Sequence, residues 1–338
     1  MDALLKCFFD KFLELERNTL HACYRRKATV QYFNTLIEGC CRGSAGDPQK
    51  ICRDAIMAIV RFHHVHKNKN GGVCLMGKYH NILYVGLKLC YDWQLKDAGT
   101  VAALLDHIYG CEKTFERLWV GAIFGTRASH FIAGWKSDFS DQEENLRAVV
   151  YYLDHASTAG LEYHCENRNI LQRFIDVPIE CCGRVSPAKI LVQYGVPDKL
   201  HILLRFGAIV TGDEGGNATI VESLLNRLNE FNHSYPYNLV DCLIFLLRVI
   251  PTINIKPLPV EGYKEGANVQ RDYVLDHFPN LIDDGIIPIN RCGIEPPDLK
   301  HLCRCQIRHV LWLNYQLPFG TRVLPIPEVL QRYLDLMD

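Results

Sequence analysis

Along this chain apolar residues recur at helical spacing, and the strict alternation of a half-buried strand is hard to find. In "ENLRAVVYYLDHA", Leu146, Val149, Val150 and Leu153 fall at i, i+3, i+4 and i+7 and predict one helix face. "PDKLHILLRFG" opens with Pro197, carries Leu200, Leu203 and Leu204 on one side and stops at Gly207, the order of breaker residues a helix prefers. "TVAALLDHIYG" predicts a helix capped by Thr100 and closed at Gly110, and "CRDAIMAIVRFHHV" predicts another. "NLVDCLIFLLRVIP" is apolar nearly all round, which predicts a helix sandwiched between neighbours. Further helices are expected around 79–91, 114–124, 186–194 and 218–229. Helix pairs recurring in this way predict a solenoid, in which each unit buries its face by stacking on the next. The opening stretch "MDALLKCFFDKFLELER" reads as an amphipathic helix with acidic residues inside its apolar run, unlike a signal peptide.

The end of the chain has a different rhythm. Pro296-Pro297 halts what precedes, and Leu299, Leu302, Cys303, Ile307 and Val310 then form an apolar stripe, with Arg304, Gln306 and Arg308 away from it. Asn314 to Gly320 supplies a turn. In "LPIP", Leu324 to Pro327, neither proline can donate a hydrogen bond and each preceding residue is pushed toward extended backbone. A short helix with Val329, Leu330, Tyr333 and Leu334 on one side follows. So small a fragment cannot bury both stripes on itself, so it packs on the preceding domain or on another protein.

Composition narrows the function. Apolar residues make up 48% and charged residues 22% of 338, with a formal net charge of −1. Such a balance does not favour nucleic acid, which needs clustered cations; the sharpest basic stretch, "HKNKNGG" from His66, reads as a solvated loop. No stretch reads as a membrane span, because "LVDCLIFLLRVIP" is short and interrupted by Asp241 and Arg248. A soluble protein of the cytoplasm, with the nucleus a further location, is expected. The 15 cysteines, without a C-x-x-C, are expected to be small buried thiols.

Chemistry is sparse. There is no G-x-S-x-G, Walker loop, H-E-x-x-H or G-x-G-x-x-G. "GDEGG" at Gly212 to Gly216 is an acidic turn that would repel phosphate. His63 and His66 share a helix face at i, i+3 and are weighed as metal ligands, but read better as rings capping an exposed helix end. His164 beside Cys165, and Cys181-Cys182, do not make dyads, since adjacent side chains point different ways. His155 and His201 read as helix-surface or partly buried rings. No catalytic residue, metal ligand or cofactor is assigned. Tyr151, Tyr152, Tyr194 and Trp135 are weighed as partner contacts, although aromatics at helical spacing are more often core.

Two segments resemble known modules. Ser186 to Val210, "SPAKILVQYGVPDKLHILLRFGAIV", resembles an ankyrin repeat: Ser-Pro stands for Thr-Pro, Gly195 ends the first helix, and "LHILLRFGA" matches the second. It departs from that family at Lys189, where His is usual, and at bulky Ile190, Leu191 and Val192, where alanines are favoured. Pro297 to Met337 resembles a SOCS box, so the chain is similar to the ankyrin repeat and SOCS box family. That resemblance implies that Leu299, Leu302, Cys303 and Ile307 bind elongin C, with elongin B beside it. It implies that Leu324, Pro325, Ile326, Pro327, Leu330 and Tyr333 select the cullin, by family cullin-5 with its RING subunit. Asp298 departs from the Ser, Thr or Pro that commonly precedes the leucine. The expected fold is all-α: an N-terminal helical region (1–75), a divergent ankyrin-like solenoid (76–285) and a three-helix SOCS box (296–338). The expected function is a non-catalytic substrate-recognition adaptor of a ubiquitin ligase, holding a client whose contact residues the sequence does not reveal. The alternative is a scaffold that binds and stabilises a partner without its degradation.

Overall fold

The computed structural model describes residues 20–44, 47–74, 79–130, 137–165, 170–211, 219–253 and 274–338. The opening amphipathic stretch, Trp135 and the Gly212–Gly216 stretch lie outside them. The chain divides into two compact units, Met1–Arg184 and Val185–Asp338. Both are built mainly from helices, as the apolar periodicity predicts. Among the described residues no helix is long and apolar enough to cross a membrane.

The first unit contains α1 (Leu20–Ser44), α2 (Pro48–Lys69), α3 (Asn81–Asp92), α4 (Ala98–Glu112), α5 (Glu116–Phe124) and α6 (Gln142–Thr158). Asp47 caps α2 by accepting from the Gln49 N–H, with Pro48 in the first turn, where its missing N–H costs nothing. The cap of α4 is Asp97, not Thr100: its carboxylate accepts from the Gly99 N–H and the Thr100 hydroxyl, which starts the helix earlier. The same helix runs through Gly110 to Glu112, where Lys113 in the left-handed region (φ 59°) ends it. The helix α2 likewise extends through Lys69, so only the second half of "HKNKNGG" is loop.

Helix α3 packs against α1, α2 and α4 and is buried from Asn81 to Leu87. A Cβ on Gly86 would stand 3.0 Å from a Leu104 methyl and 3.6 Å from Ile59, so the bare backbone permits this close approach. After α6 come two short antiparallel strands, β1 (Glu162–Cys165) and β2 (Ile170–Arg173), with Tyr163 opposite Gln172. Their four-residue length is below what alternation can signal. Tyr163 turns inward against Tyr109 and Phe115, at centroid distances of 4.4 and 5.1 Å.

The second unit contains α7 (Pro187–Gln193), α8 (Pro197–Arg205), α9 (Ile220–Asn229), α10 (Tyr237–Val249), α11 (Pro279–Asp283), α12 (Leu299–Leu313) and α13 (Glu328–Leu334). The ankyrin-like segment is the α7–α8 hairpin. Ser186 caps it by accepting from the Lys189 N–H, Pro187 fills its first turn, and Gly195 at φ 62° lets it reverse. Thr219 caps α9 in the same manner. Helix α10 is sandwiched by α8, α9 and α12, as its all-round apolarity predicts.

Candidate functional site

The two faces of α12 decide what the C-terminal module does. The inward face is polar. His301, Arg304 and Arg308 are buried, with Leu311 as the apolar residue among them. Arg308 donates from Nη1 to the Leu334 carbonyl at 2.7 Å and from Nη2 to the carbonyl of Leu204. These are last-turn carbonyls of α13 and α8, beyond the reach of the i+4 ladder; that of Leu204 also accepts the Gly207 N–H at 3.0 Å. One guanidinium thus satisfies two helix C-termini, where a cation is also favoured by the helix dipole. Burial pulls its pKa down to about 10, which leaves it charged at neutral pH. The Asp335 carboxylate accepts from Nε and Nη2 of Arg205 at 3.0 and 2.6 Å, a two-point clamp between α8 and the residue after α13. His301 Nε2 lies 2.8 Å from the Ile250 carbonyl, and its Nδ1 faces Arg304 Nη2 at 3.2 Å. Leu336, buried and left-handed at φ 62°, offers its carbonyl to His201 Nε2 at 2.8 Å. Gly207 (φ 85°) makes room for the module: a Cβ there would stand 2.6 Å from the Trp312 ring.

The outward face is apolar. Leu299 is 76% exposed, Leu302 37%, Val310 47% and Leu313 53%, Cys303 is exposed, and Ile307 is half-buried. The stripe that either the preceding domain or another protein could cover is therefore turned away from the described helices of its own unit. The proline hook is partly exposed as well. Pro325 and Pro327 are exposed and Leu324 and Ile326 half-buried. Gln331 Nε2 donates to the carbonyls of Leu324 and Ile326 at 3.0 and 3.1 Å, which holds the hook against α13. The α13 stripe splits: Leu334 is buried, Val329 and Leu330 are exposed, and Tyr333 lies half-buried beneath Lys300 and Arg304, 4.3 and 4.1 Å from its ring centroid.

Residues 295–335 match the SOCS box family. The C-terminal module is a SOCS box. The chain is also similar to curated relatives bearing the name ankyrin repeat and SOCS box protein 17. The bovine protein is 30% identical over 169 residues, covering 47% of this chain and 53% of its own. The human one is 28% identical over 148 residues, covering 44% of each. The chain spans about half the length of the curated relatives it matches. No solved structure matches it.

Outside the SOCS box, the residues weighed from sequence fall as follows. Tyr152 is fully buried, Tyr151 is half-buried with its hydroxyl on the Leu95 carbonyl, and Tyr194 is 49% exposed. His155 is buried and His201 half-buried, stacked 4.5 Å from Phe245. The cysteines do not all go inside: Cys52, Cys90, Cys242 and Cys292 are buried, whereas Cys303 is exposed and the other described ones are half-buried. His63 and His66 do not form a pair. His66 stacks on Tyr79 at 4.2 Å, while His63, expected at an exposed helix end, is 0% exposed. It meets Cys74, His80 and Cys111 instead, a grouping that the local spacing of the sequence does not signal.

Proposed function

We propose that this chain is a non-catalytic adaptor of a cullin-RING ubiquitin ligase. Its SOCS box docks on elongin C through Leu299, Leu302, Cys303 and Ile307, with elongin B joining through elongin C. The hook, Leu324 to Pro327 with Leu330 and Tyr333, selects cullin-5 and its RING subunit. The helical body, residues 76–285 in the division drawn from sequence, holds a client protein near the ubiquitin-charged enzyme, so the chain supplies proximity and orientation while isopeptide transfer occurs elsewhere.

The observation that carries this reading is the outward apolar stripe of α12. A 76%-exposed leucine and an exposed cysteine stand on a helix whose buried face already satisfies two helix ends. Nothing in that inward packing needs Leu299, so its apolar surface is available to a partner. The small Cys303 one turn later allows a partner helix to approach closely. The cysteine is also the residue whose enlargement should be most disruptive to the complex and least disruptive to the fold.

The test is co-expression with elongins B and C, followed by size-exclusion and mass measurement with cullin-5 added. Wild type is expected to form the complex. Leu299→Ala/Cys303→Phe is expected to lose elongins and cullin together, and Pro325→Ala/Pro327→Ala to lose cullin alone. A wild-type chain that stays monodisperse and ignores both partners contradicts the proposal.

A further inference from the structure

We infer that His63, Cys74, His80 and Cys111 bind one zinc ion as a tetrahedral structural site that ties together the ends of α2, α3 and α4. This site lies in the first unit and is independent of the SOCS box reading.

The four ligand atoms, two imidazole nitrogens and two thiol sulfurs, lie within 4.8 Å of one another. Zinc bonds of about 2.0–2.3 Å in a tetrahedron place donors about 3.3–3.8 Å apart. His63 Nε2 stands 3.3 Å from Cys74 Sγ and 3.6 Å from Cys111 Sγ, and Cys74 Sγ stands 3.7 Å from His80 Nδ1. These separations already have the length of tetrahedral edges. Two thiolates and two neutral imidazoles make the dication electrically neutral at the centre, so the ion can be buried without a net charge. A tetrahedral sulfur–nitrogen set also favours zinc over magnesium or calcium, which take oxygen donors.

The surroundings fit the same assignment. His80 is 0% exposed, and its other nitrogen, Nε2, lies 2.5 Å from Glu112 Oε1. That bond fixes the ring with its proton on Nε2 and its lone pair on Nδ1, toward the two sulfurs, which is the carboxylate–histidine–metal arrangement of bound zinc. Glu112 is itself held by the Tyr84 hydroxyl at 2.9 Å and lies 3.8 Å from Arg117 Nε. On the opposite side, Lys67 Nζ lies 3.7 Å from Cys111 Sγ, where its charge favours the thiolate. His63 is fully buried, its Nδ1 has no hydrogen-bond partner among the described residues, and its ring packs on those of His80 and His107 at 5.9 and 5.4 Å. Its Nε2 faces the two thiol sulfurs, weak hydrogen-bond partners in place of which a metal is the stronger one.

The ligands also come from separate places. His63 lies within α2, six residues before its end at Lys69, and Cys74 follows that helix; His80 precedes the first turn of α3, and Cys111 sits in the last turn of α4. A metal there closes three helix ends at once, and its binding free energy becomes folding free energy, because the four donors meet only in the folded unit. On binding, each thiol gives up its proton to solvent and its sulfur lone pair to zinc.

The test uses the full chain purified under reducing conditions from zinc-supplemented cells. Elemental analysis is expected to find about one zinc per chain, the complement of a four-ligand structural site. Alkylation mapped by mass spectrometry is expected to spare Cys74 and Cys111 until a chelator is added, a readout that needs no variant. Cobalt exchanged into the protein is expected to give the visible absorption of a tetrahedral site with thiolate-to-metal charge transfer. Cys74→Ser/Cys111→Ser should lose both metal and spectrum, and Cys165→Ser should keep them. Glu112→Gln should still load in excess zinc but surrender it to a competing chelator about 10–100-fold more readily. Native-folded wild type with negligible zinc, zinc retained by the double serine variant, or an octahedral cobalt spectrum would each overturn the inference.

Discussion

Helices α9 and α12 lie in the same unit, and each carries apolar residues on one side and polar residues on the other, yet they face opposite ways. In α9 the apolar stripe goes in: Ile220, Val221, Leu224, Leu225 and Leu228 are buried against α7, α10 and α11. In α12 the arginines and a histidine go in with Leu311, while Leu299, Leu302 and Leu313 stay out. The difference lies in what each helix meets. The neighbours of α9 offer apolar side chains, so burying its stripe follows from the hydrophobic effect alone. Helix α12 meets the buried carbonyls that end α8 and α13, the Ile250 carbonyl and the Asp338 carboxylate, all of which accept from its side chains. Amphipathicity states that a helix has two faces; the partner groups decide which one is core.

The largest expected effect on this comparison comes from Arg308→Ala. It removes two buried charge-assisted hydrogen bonds and leaves the Leu334 carbonyl without its donor, while Leu204 keeps the Gly207 N–H; at about 1.5–3 kcal/mol per hydrogen bond to a charged group the cost should be about 3–5 kcal/mol. Urea unfolding of the variant checks it. A loss close to that of a surface substitution would mean that the inward arginine face does not hold the SOCS box in place.

A smaller effect should distinguish the apolar stripes. Leu224→Ala removes a 1%-exposed side chain and should cost about 2–5 kcal/mol, while Leu299→Ala, at 76% exposure, should stay within about 0.5 kcal/mol. Equal losses in the two variants would erase the contrast between α9 and α12.

The smallest effect concerns pH. Burial holds His301 below the usual histidine pKa, with Arg291 and Arg304 acting in the same direction and the Ile250 carbonyl and Asp298 opposing them. Burial likewise depresses His201, which faces Arg205, Arg248 and Asp335. A histidine whose folded pKa is depressed binds its proton more readily when unfolded, so these two contribute stability above the ordinary value of 6.5 that is lost as pH falls through and below it. Melting temperatures between pH 7.5 and 5.5 should therefore decline, and His301→Gln should flatten the decline. An unchanged slope in that variant would remove His301 from the account.

Much of the helical content was legible in the sequence because it depends on local chemistry. Pro187, Pro197, Gly195 and Gly207 punctuate the α7–α8 hairpin where the breaker pattern puts them. The exposed stripe of α12 was legible as a stripe, but its direction was not, because Leu204 and Leu334 are far from Arg308 in sequence and their carbonyls carry no residue-type signal. Helix α4 began at Asp97 and not Thr100 because both residue types cap well and only backbone geometry chooses between them. The His63–Cys74–His80–Cys111 cluster escaped notice for a related reason. Its spacing follows no local metal motif, and the remaining signal, histidines and cysteines near the ends of successive helices, becomes meaningful only once the helices are packed.

The central claim is that the leucine face of α12 serves a partner and its arginine face serves the fold. The most direct test measures two quantities on one variant: the affinity of Leu299→Ala for the elongin B/C complex and its unfolding midpoint. The account predicts that binding weakens by at least about 2 kcal/mol, roughly 30-fold, as for an interface anchor, while the unfolding midpoint stays at the wild-type value. A variant that unfolds early, or that binds elongin B/C as tightly as wild type, contradicts it.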